Sequence, residues 1–160
     1  MKIKLRDGKP ASQEATLKLE VALGVSLSSS FRDFLATHDG AKPEANVFRI
    51  SANNSSGIQR FIPVREIRQE RSYIEDIPQR AYPVAWDGSG NYIFIDEDKS
   101  GAVFFWDHEI PNKPTRLASS FAGFLELLEP FDIRSVSLKP EQVKKVWVDP
   151  EFLERLRKSK

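Results

Sequence analysis

The chain contains no cysteine, one methionine and two histidines in 160 residues. The missing cysteine excludes disulfides, thiolate zinc sites, iron–sulfur clusters and cysteine nucleophiles together. A histidine-based metal centre or a Ser-His-Asp triad would have to use His38 or His108, and no nucleophile motif such as G-x-S-x-G accompanies either. No window approaches the roughly 18 consecutive apolar residues of a membrane span. The opening stretch MKIKLRDGKP carries lysines but no apolar run behind them, so it does not read as a secretory signal, and the cytoplasm is the expected location. Internal repeats and low-complexity segments are also absent.

What is present is ordinary globular composition, 40% hydrophobic and 29% charged, with eleven Phe and three Trp to build a rigid aromatic core. This length suits one domain with an appended helix or two. The net charge of +1 hides an uneven distribution. Residues 81–110 set Lys99 against Asp87, Asp96, Glu97, Asp98, Asp107 and Glu109, and the segments on either side are net basic. Acidic turns explain such a cluster; an acidic edge facing a basic partner is the sharper explanation.

Local patterns place the elements. SQEATLKLEVAL reads as a helix with Ser12 as N-cap, Gly24 at its end, and Ala15, Leu19, Ala22 and Leu23 on one face. SSSFRDFLATHDG reads as a second, capped by one of Ser28 to Ser30, with Phe31, Phe34, Leu35 and His38 at helical spacing and Gly40 as its stop. His38 falls in the last turn, where the helix dipole favours a cation. NVFRI and IQRFI are short β-favouring runs around the polar loop SANNSSG, and VREIRQE holds one or two helical turns. AYPVAW, NYIFID and AVFFWD are three strands joined by short Gly-containing loops, which suits an antiparallel meander. Alternation puts Tyr92 and Phe94 opposite Ile93 and Ile95, and Val103 and Phe105 opposite Phe104 and Trp106. Both faces are apolar, so both need cover. HEIPNKPTRLA reads as a loop, and SSFAGFLELLEP as a helix with Phe121, Phe124, Leu125 and Leu128 inward. FDIRSVSL is extended, and KPEQVKKVWV and DPEFLERLRK are two terminal helices, the second with Asp149 as N-cap and Pro150 at its first position. Helices around a run of strands give an α+β fold with a mixed, largely antiparallel sheet. We expect a domain over residues 1–130 and a helical extension, 131–160, packed on it.

The stretch WDGSGNYIFI, residues 86–95, is the one place where a ligand loop suggests itself. Read as an EF-hand, it puts Tyr92 at the sixth position, where the calcium loop requires Gly. Read as a dinucleotide fingerprint, it puts Ile93 at the third glycine and runs into a strand rather than a helix. It lacks Gly-Lys-Ser/Thr, so it is no Walker loop either. Turn chemistry remains: Asp87 bonds the backbone two residues on, and Gly88 and Gly90 take positive φ.

Other constellations carry little chemistry. Asp107-His108-Glu109 is a polar triplet whose neighbours point different ways. The acids Asp96, Glu97, Asp98 and Asp107 include no pair that stands out for acid–base work. The basic stretches, Arg65, Arg68 and Arg71 and the terminal RLRKSK, are too short or too interrupted for a nucleic-acid footprint. No metal or cofactor is expected.

In order along the chain, several motifs resemble the SUKH superfamily. They are Leu27-Ser-Ser-Ser-Phe-Arg-Asp-Phe-Leu35 with His-Asp-Gly40, Phe61-Ile-Pro-Val-Arg-Glu-Ile67, Pro83-Val-Ala-Trp-Asp-Gly-Ser-Gly-Asn-Tyr-Ile-Phe-Ile95, Gly101-Ala-Val-Phe-Phe-Trp-Asp-His108 and Leu117-Ala-Ser-Ser-Phe-Ala-Gly-Phe-Leu125. They cover about residues 12–129. Ser28 stands where the family's signature usually has Pro, and Asp39 where it has Asn; both keep helix-start and turn chemistry. The resemblance implies a sheet packed with helices and a binding fold without catalytic residues, in a group that includes fungal cell-wall regulators and bacterial immunity proteins. On that footing the expected function is non-enzymatic: an immunity protein neutralising a toxin domain by stoichiometric binding. The alternative is a regulatory or scaffold protein of a housekeeping pathway such as the cell envelope. Asp96, Glu97, Asp98, Asp107 and Glu109 are the candidates for steering a basic partner, and Tyr92 or Trp106 for an aromatic anchor.

Overall fold

A computed structural model of the chain describes residues 3–132 and, beyond them, Glu154 and Arg157. Helix α1, Gln13–Leu23, begins where Ser12 Oγ accepts the Ala15 amide at 3.1 Å and ends on Gly24 at φ 66°. Its buried positions are Thr16 and Leu19, and Ala22, expected on the inner face, is exposed. Helix α2, Ser29–His38, buries Phe31, Phe34 and Leu35. Ser28 occupies the cap position, but its side chain makes no capping bond.

The strands follow. β1 (Leu5–Arg6) and β2 (Lys42–Pro43) form a two-residue antiparallel pair that no pattern in so short a stretch announces. β3 (Val47–Ser51) and β4 (Asn54–Phe61) form a hairpin that draws most of the polar loop SANNSSG into its strands. Helix α3, Ile67–Arg71, leads into β5 (Ala81–Asp87), β6 (Tyr92–Asp96) and β7 (Ala102–Trp106). A single 3-10 turn, Glu97–Lys99, separates the last two. β8, Thr115–Ala118, pairs with β7 inside the stretch read as a loop; the turn-rich residues before it hid a short edge strand. Helix α4, Phe121–Glu126, is capped by Ser120 Oγ accepting the Gly123 amide.

β3 to β8 form one six-stranded sheet in sequence order, and every described ladder is antiparallel. The sheet curls until β3 and β8 touch, and the chain after α4 seals the β3 edge through a two-way Val47–Glu129 backbone pair at 2.9 and 2.8 Å. An edge strand paired in this way offers fewer free groups to stray partners.

Both sheet faces are apolar and both are covered, for different reasons. Ile93, Ile95, Val103 and Phe105 face the helices and join the main core. Phenylalanines dominate it: Phe34 lies 4.6 Å from Phe61 and 5.2 Å from Phe121, and Phe48 lies 5.7 Å from Phe105 and from Phe124, ring centre to ring centre. Each such buried ring contributes about 1.5–3 kcal/mol of transfer free energy. The opposite face carries Tyr92, Phe94, Phe104 and Trp106, covered by Ile74 and Ile77 from the segment between α3 and β5. Arg71 pins that segment, its guanidinium donating to the carbonyls of Ala81, Pro78 and Gln79 at 2.8–3.1 Å.

Glu154 and Arg157 are helical and exposed. The expected extended stretch FDIRSVSL, the helix KPEQVKKVWV and the packing of 131–160 on the domain otherwise lie outside the described residues.

Candidate partner-binding surface

The ladder between β6 and β7 runs from Tyr92 opposite Trp106 to Asp96 opposite Ala102. An antiparallel hairpin sends its turn to one end and the exit of its second strand to the other. The central acids therefore form two groups, separated by the length of a five-residue strand, about 14 Å at 3.4 Å per residue. Asp96, Glu97 and Asp98 sit at the turn end. Asp107 and Glu109 sit at the far end with Tyr92, Trp106 and the 87–91 loop. A single acidic edge does not form.

At the turn end the acids are structural. Asp96 is only 4% exposed and caps the 3-10 turn, its Oδ1 accepting the Asp98 amide at 3.0 Å. Glu97 reaches back to the start of α2: its Oε1 accepts the Tyr82 hydroxyl at 2.6 Å and the Ser28 amide at 2.9 Å. This carboxylate supplies the capping contact that the Ser28 side chain does not, at the end of the helix where negative charge is favoured. Burial, reinforced by the bond to Glu97, pushes the Tyr82 phenol well above its ordinary value. Asp98 alone is exposed there, 3.6 Å from Arg80 in a solvent-screened pair.

The far end is built around Asp87, and the Gly-rich loop does turn the chain. Asp87 Oδ1 accepts the amides of Ser89 and Asn91 at 2.8 and 2.9 Å. Its Oδ2 accepts Asn91 Nδ2 and Ser56 Oγ, both at 2.8 Å. Burial works to raise the Asp87 pKa, but these donors outweigh it and hold the carboxyl below its ordinary value. Both oxygens are thus engaged by the protein itself. Gly90 takes φ 91°, whereas Gly88 is not in the left-handed region, so only one of the two glycines is needed for its backbone freedom.

Asn91 passes this order to the next turn. Because its Nδ2 faces Asp87, its Oδ1 faces His108 and accepts the backbone amide at 3.1 Å. His108 Nδ1 lies 2.7 Å from the same oxygen and must therefore carry a proton, leaving Nε2 as the free ring nitrogen. Asp107 Oδ1 accepts the Glu109 amide at 2.9 Å and closes a tight turn that exposes Glu109 and Ile110. Tyr92 is half-buried, donates to Glu70 at 2.7 Å and lies 6.0 Å from the Trp106 ring. Trp106 is 5% exposed and its indole N–H has no hydrogen-bond partner among the described residues.

Burial separates the candidate residues. Asp96 and Trp106 are buried, one as a cap and the other beneath the 72–80 segment. Glu97 Oε1 and the Tyr92 hydroxyl are engaged internally. Asp98 remains open at one end, and Glu109 with the partly exposed Asp107 at the other. The contributions of Ser56, Glu70 and Tyr82 were not legible, because each acts across strands far apart in sequence. Asn91 left a trace in the Asp-x-x-x-Asn spacing of a loop that closes on its own first residue.

Among the described residues no group of three or more His, Asp or Glu could hold a metal ion, and no helix is long and apolar enough to cross a membrane. What the far end offers is a hydrogen-bonded turn presenting Asp107, Glu109 and the apolar Ile110 on a rigid sheet. Among known families, residues 10–127 match the model of the SMI1 / KNR4 family (SUKH-1), well over half of the chain. No curated protein matches it.

Proposed function

Because the chain belongs to the SMI1 / KNR4 family (SUKH-1), we propose that it is a non-enzymatic binding protein of the cytoplasm, an immunity protein that occludes a toxin domain by one-to-one association. The observation that supports this reading is the Asp107–Ile110 turn. Glu109 has no ion-pair partner among the described residues, Ile110 is exposed beside it, and both are carried by a turn locked to Asn91 and Asp87. Unpaired acids at the rim accelerate encounter with a basic partner, and an apolar neighbour gives the contact a place to exclude water. Asp98, at the opposite end, would touch a partner only if the interface spanned the whole strand length.

Affinity capture of the tagged protein from its own cells, with Asp107→Lys/Glu109→Lys and Asp98→Lys variants alongside, tests the reading. A toxin-like partner recovered in equal amount and lost only in the double variant supports it. A toxin-like partner lost only in Asp98→Lys moves the interface to the turn end. A housekeeping partner favours the regulatory or scaffold alternative.

A further inference from the structure

The aromatic rings on the outer face of the sheet have a thin cover. Phe94 and Trp106 are 2% and 5% exposed, and with Ala81 and Ile74 they make a core of four buried residues, set apart from the much larger main core. Ile74 and Ile77, which close it, come from the stretch between α3 and Arg80 rather than from a helix or a strand.

That stretch is tied to the sheet by little else. The amides of Ser72, Tyr73 and Ile74 bond back to the carbonyls of Gln69, Glu70 and Arg71, and among the described residues no backbone amide of 72–79 bonds a strand. The Arg71 guanidinium supplies the clamp, joining the carbonyls of Pro78 and Gln79 to that of Ala81 in β5. Beyond it the Arg80 carbonyl accepts the Glu97 amide at 3.1 Å, and the loose stretch ends there. Two features of the closed state favour release. Asp76 is held at φ 53°, in the left-handed region. The Trp106 indole N–H is buried without a hydrogen-bond partner among the described residues, and water reaches it once the cover lifts. Stretches with few contacts of their own lie at the low end of a domain's uneven stability.

We propose that residues 72–79 form a strap that lifts as a unit, hinged on α3 and Arg80, while the main core and the β5–β7 ladder stay folded. Lifting breaks the Arg71 clamp and gives up the burial of Ile74 and Ile77. It bares Phe94 and Trp106 beside the half-buried Tyr92 and Phe104, so this face is closed in one state and an apolar aromatic row in the other. The proposal does not depend on the immunity reading.

The natural absence of cysteine makes the test clean. Two pairs of single variants of the full-length chain are treated with a thiol reagent in urea well below the unfolding midpoint. Ala81→Cys and Ala85→Cys lie four residues apart in β5, the first beneath the strap and the second in the main core. Phe94→Cys and Ile93→Cys are neighbours in β6 on opposite faces. The expected result is labelling at 81 and at 94 about tenfold or more faster than at 85 and 93, at rates that hardly change with urea, while those at 85 and 93 rise steeply as global unfolding does. Equal rates within both pairs overturn the proposal. Fast labelling at 81 alone overturns it as well and assigns the reactivity to fraying at the start of β5. Fast labelling at 94 alone reports only the space left by the lost ring, and also overturns it.

Discussion

Replacing Asp87 by Ala removes the acceptor of four hydrogen bonds at once. The donors do not lose equally. Ser89 is exposed and Ser56 half-buried, so both can turn to water, whereas Asn91 is buried and its amide and Nδ2 are left without a partner. A buried donor left unpaired costs about 1–3 kcal/mol, so Asp87→Ala should lower stability by about 3–4 kcal/mol, a large share of the 5–15 kcal/mol typical of a domain. Asp87→Asn keeps one acceptor for the two backbone amides but sets its NH2 against that of Asn91. Flipping Asn91 would relieve the clash only by turning a donor toward the His108 amide. We expect about 2 kcal/mol. The pH dependence has a definite sign. The folded-state pKa lies below the ordinary value of 3.8, so this stabilisation is complete above 3.8 and is lost as pH falls through the folded value. Urea unfolding of wild type and both variants, from neutral pH down through the acid range, measures it. A gap to Asp87→Ala under about 1 kcal/mol at pH 7, or one that does not narrow in acid, would refute the view that Asp87 organises this end of the sheet.

The other positions give contrasting outcomes. Gly90→Ala, at φ 91°, should cost about 1–2 kcal/mol in chemical unfolding, while Gly88→Ala, with open space around its Cβ, should change little. Glu97→Ala strands the buried Tyr82 hydroxyl proton and leaves the Ser28 amide only its 3.1 Å bond to the Tyr82 oxygen, for a loss of about 1–3 kcal/mol; a double-mutant cycle with Tyr82→Phe should show strong coupling, and additivity would deny the shared contact. Trp106→Ala should cost about 3–5 kcal/mol by opening the second core, whereas Glu109→Lys should stay within about 0.5 kcal/mol of wild type in the same assay. Asp39 Oδ1 accepts the Val64 amide, yet burial raises its pKa, so Asp39→Asn keeps the contact and drops the charge. Its thermal midpoint at pH 7 should equal or exceed wild type, with any advantage vanishing below pH 3.8, where the native carboxyl is also neutral.

The sequence by itself determined the local elements of this protein and much of its interior. Helical spacing and caps located α1, α2 and α4, period-two alternation assigned Ile93 and Ile95 to one sheet face and Tyr92 and Phe94 to the other, and the failed ligand patterns reduced DGSGN to a turn. These signals are short-range: each depends on residues within one or two turns of one another. The short pairs β1, β2 and β8 escaped because two to four residues carry no period. The fate of the charges was decided only in the tertiary structure. Asp96, Glu97 and Asp98 are adjacent in the chain, yet one caps a 3-10 turn, one holds the start of a helix that lies some seventy residues earlier, and one faces water. A carboxylate is inviting or unavailable according to the donors that converge on it, and those donors come from elements that meet only when the sheet curls and the helices close over it.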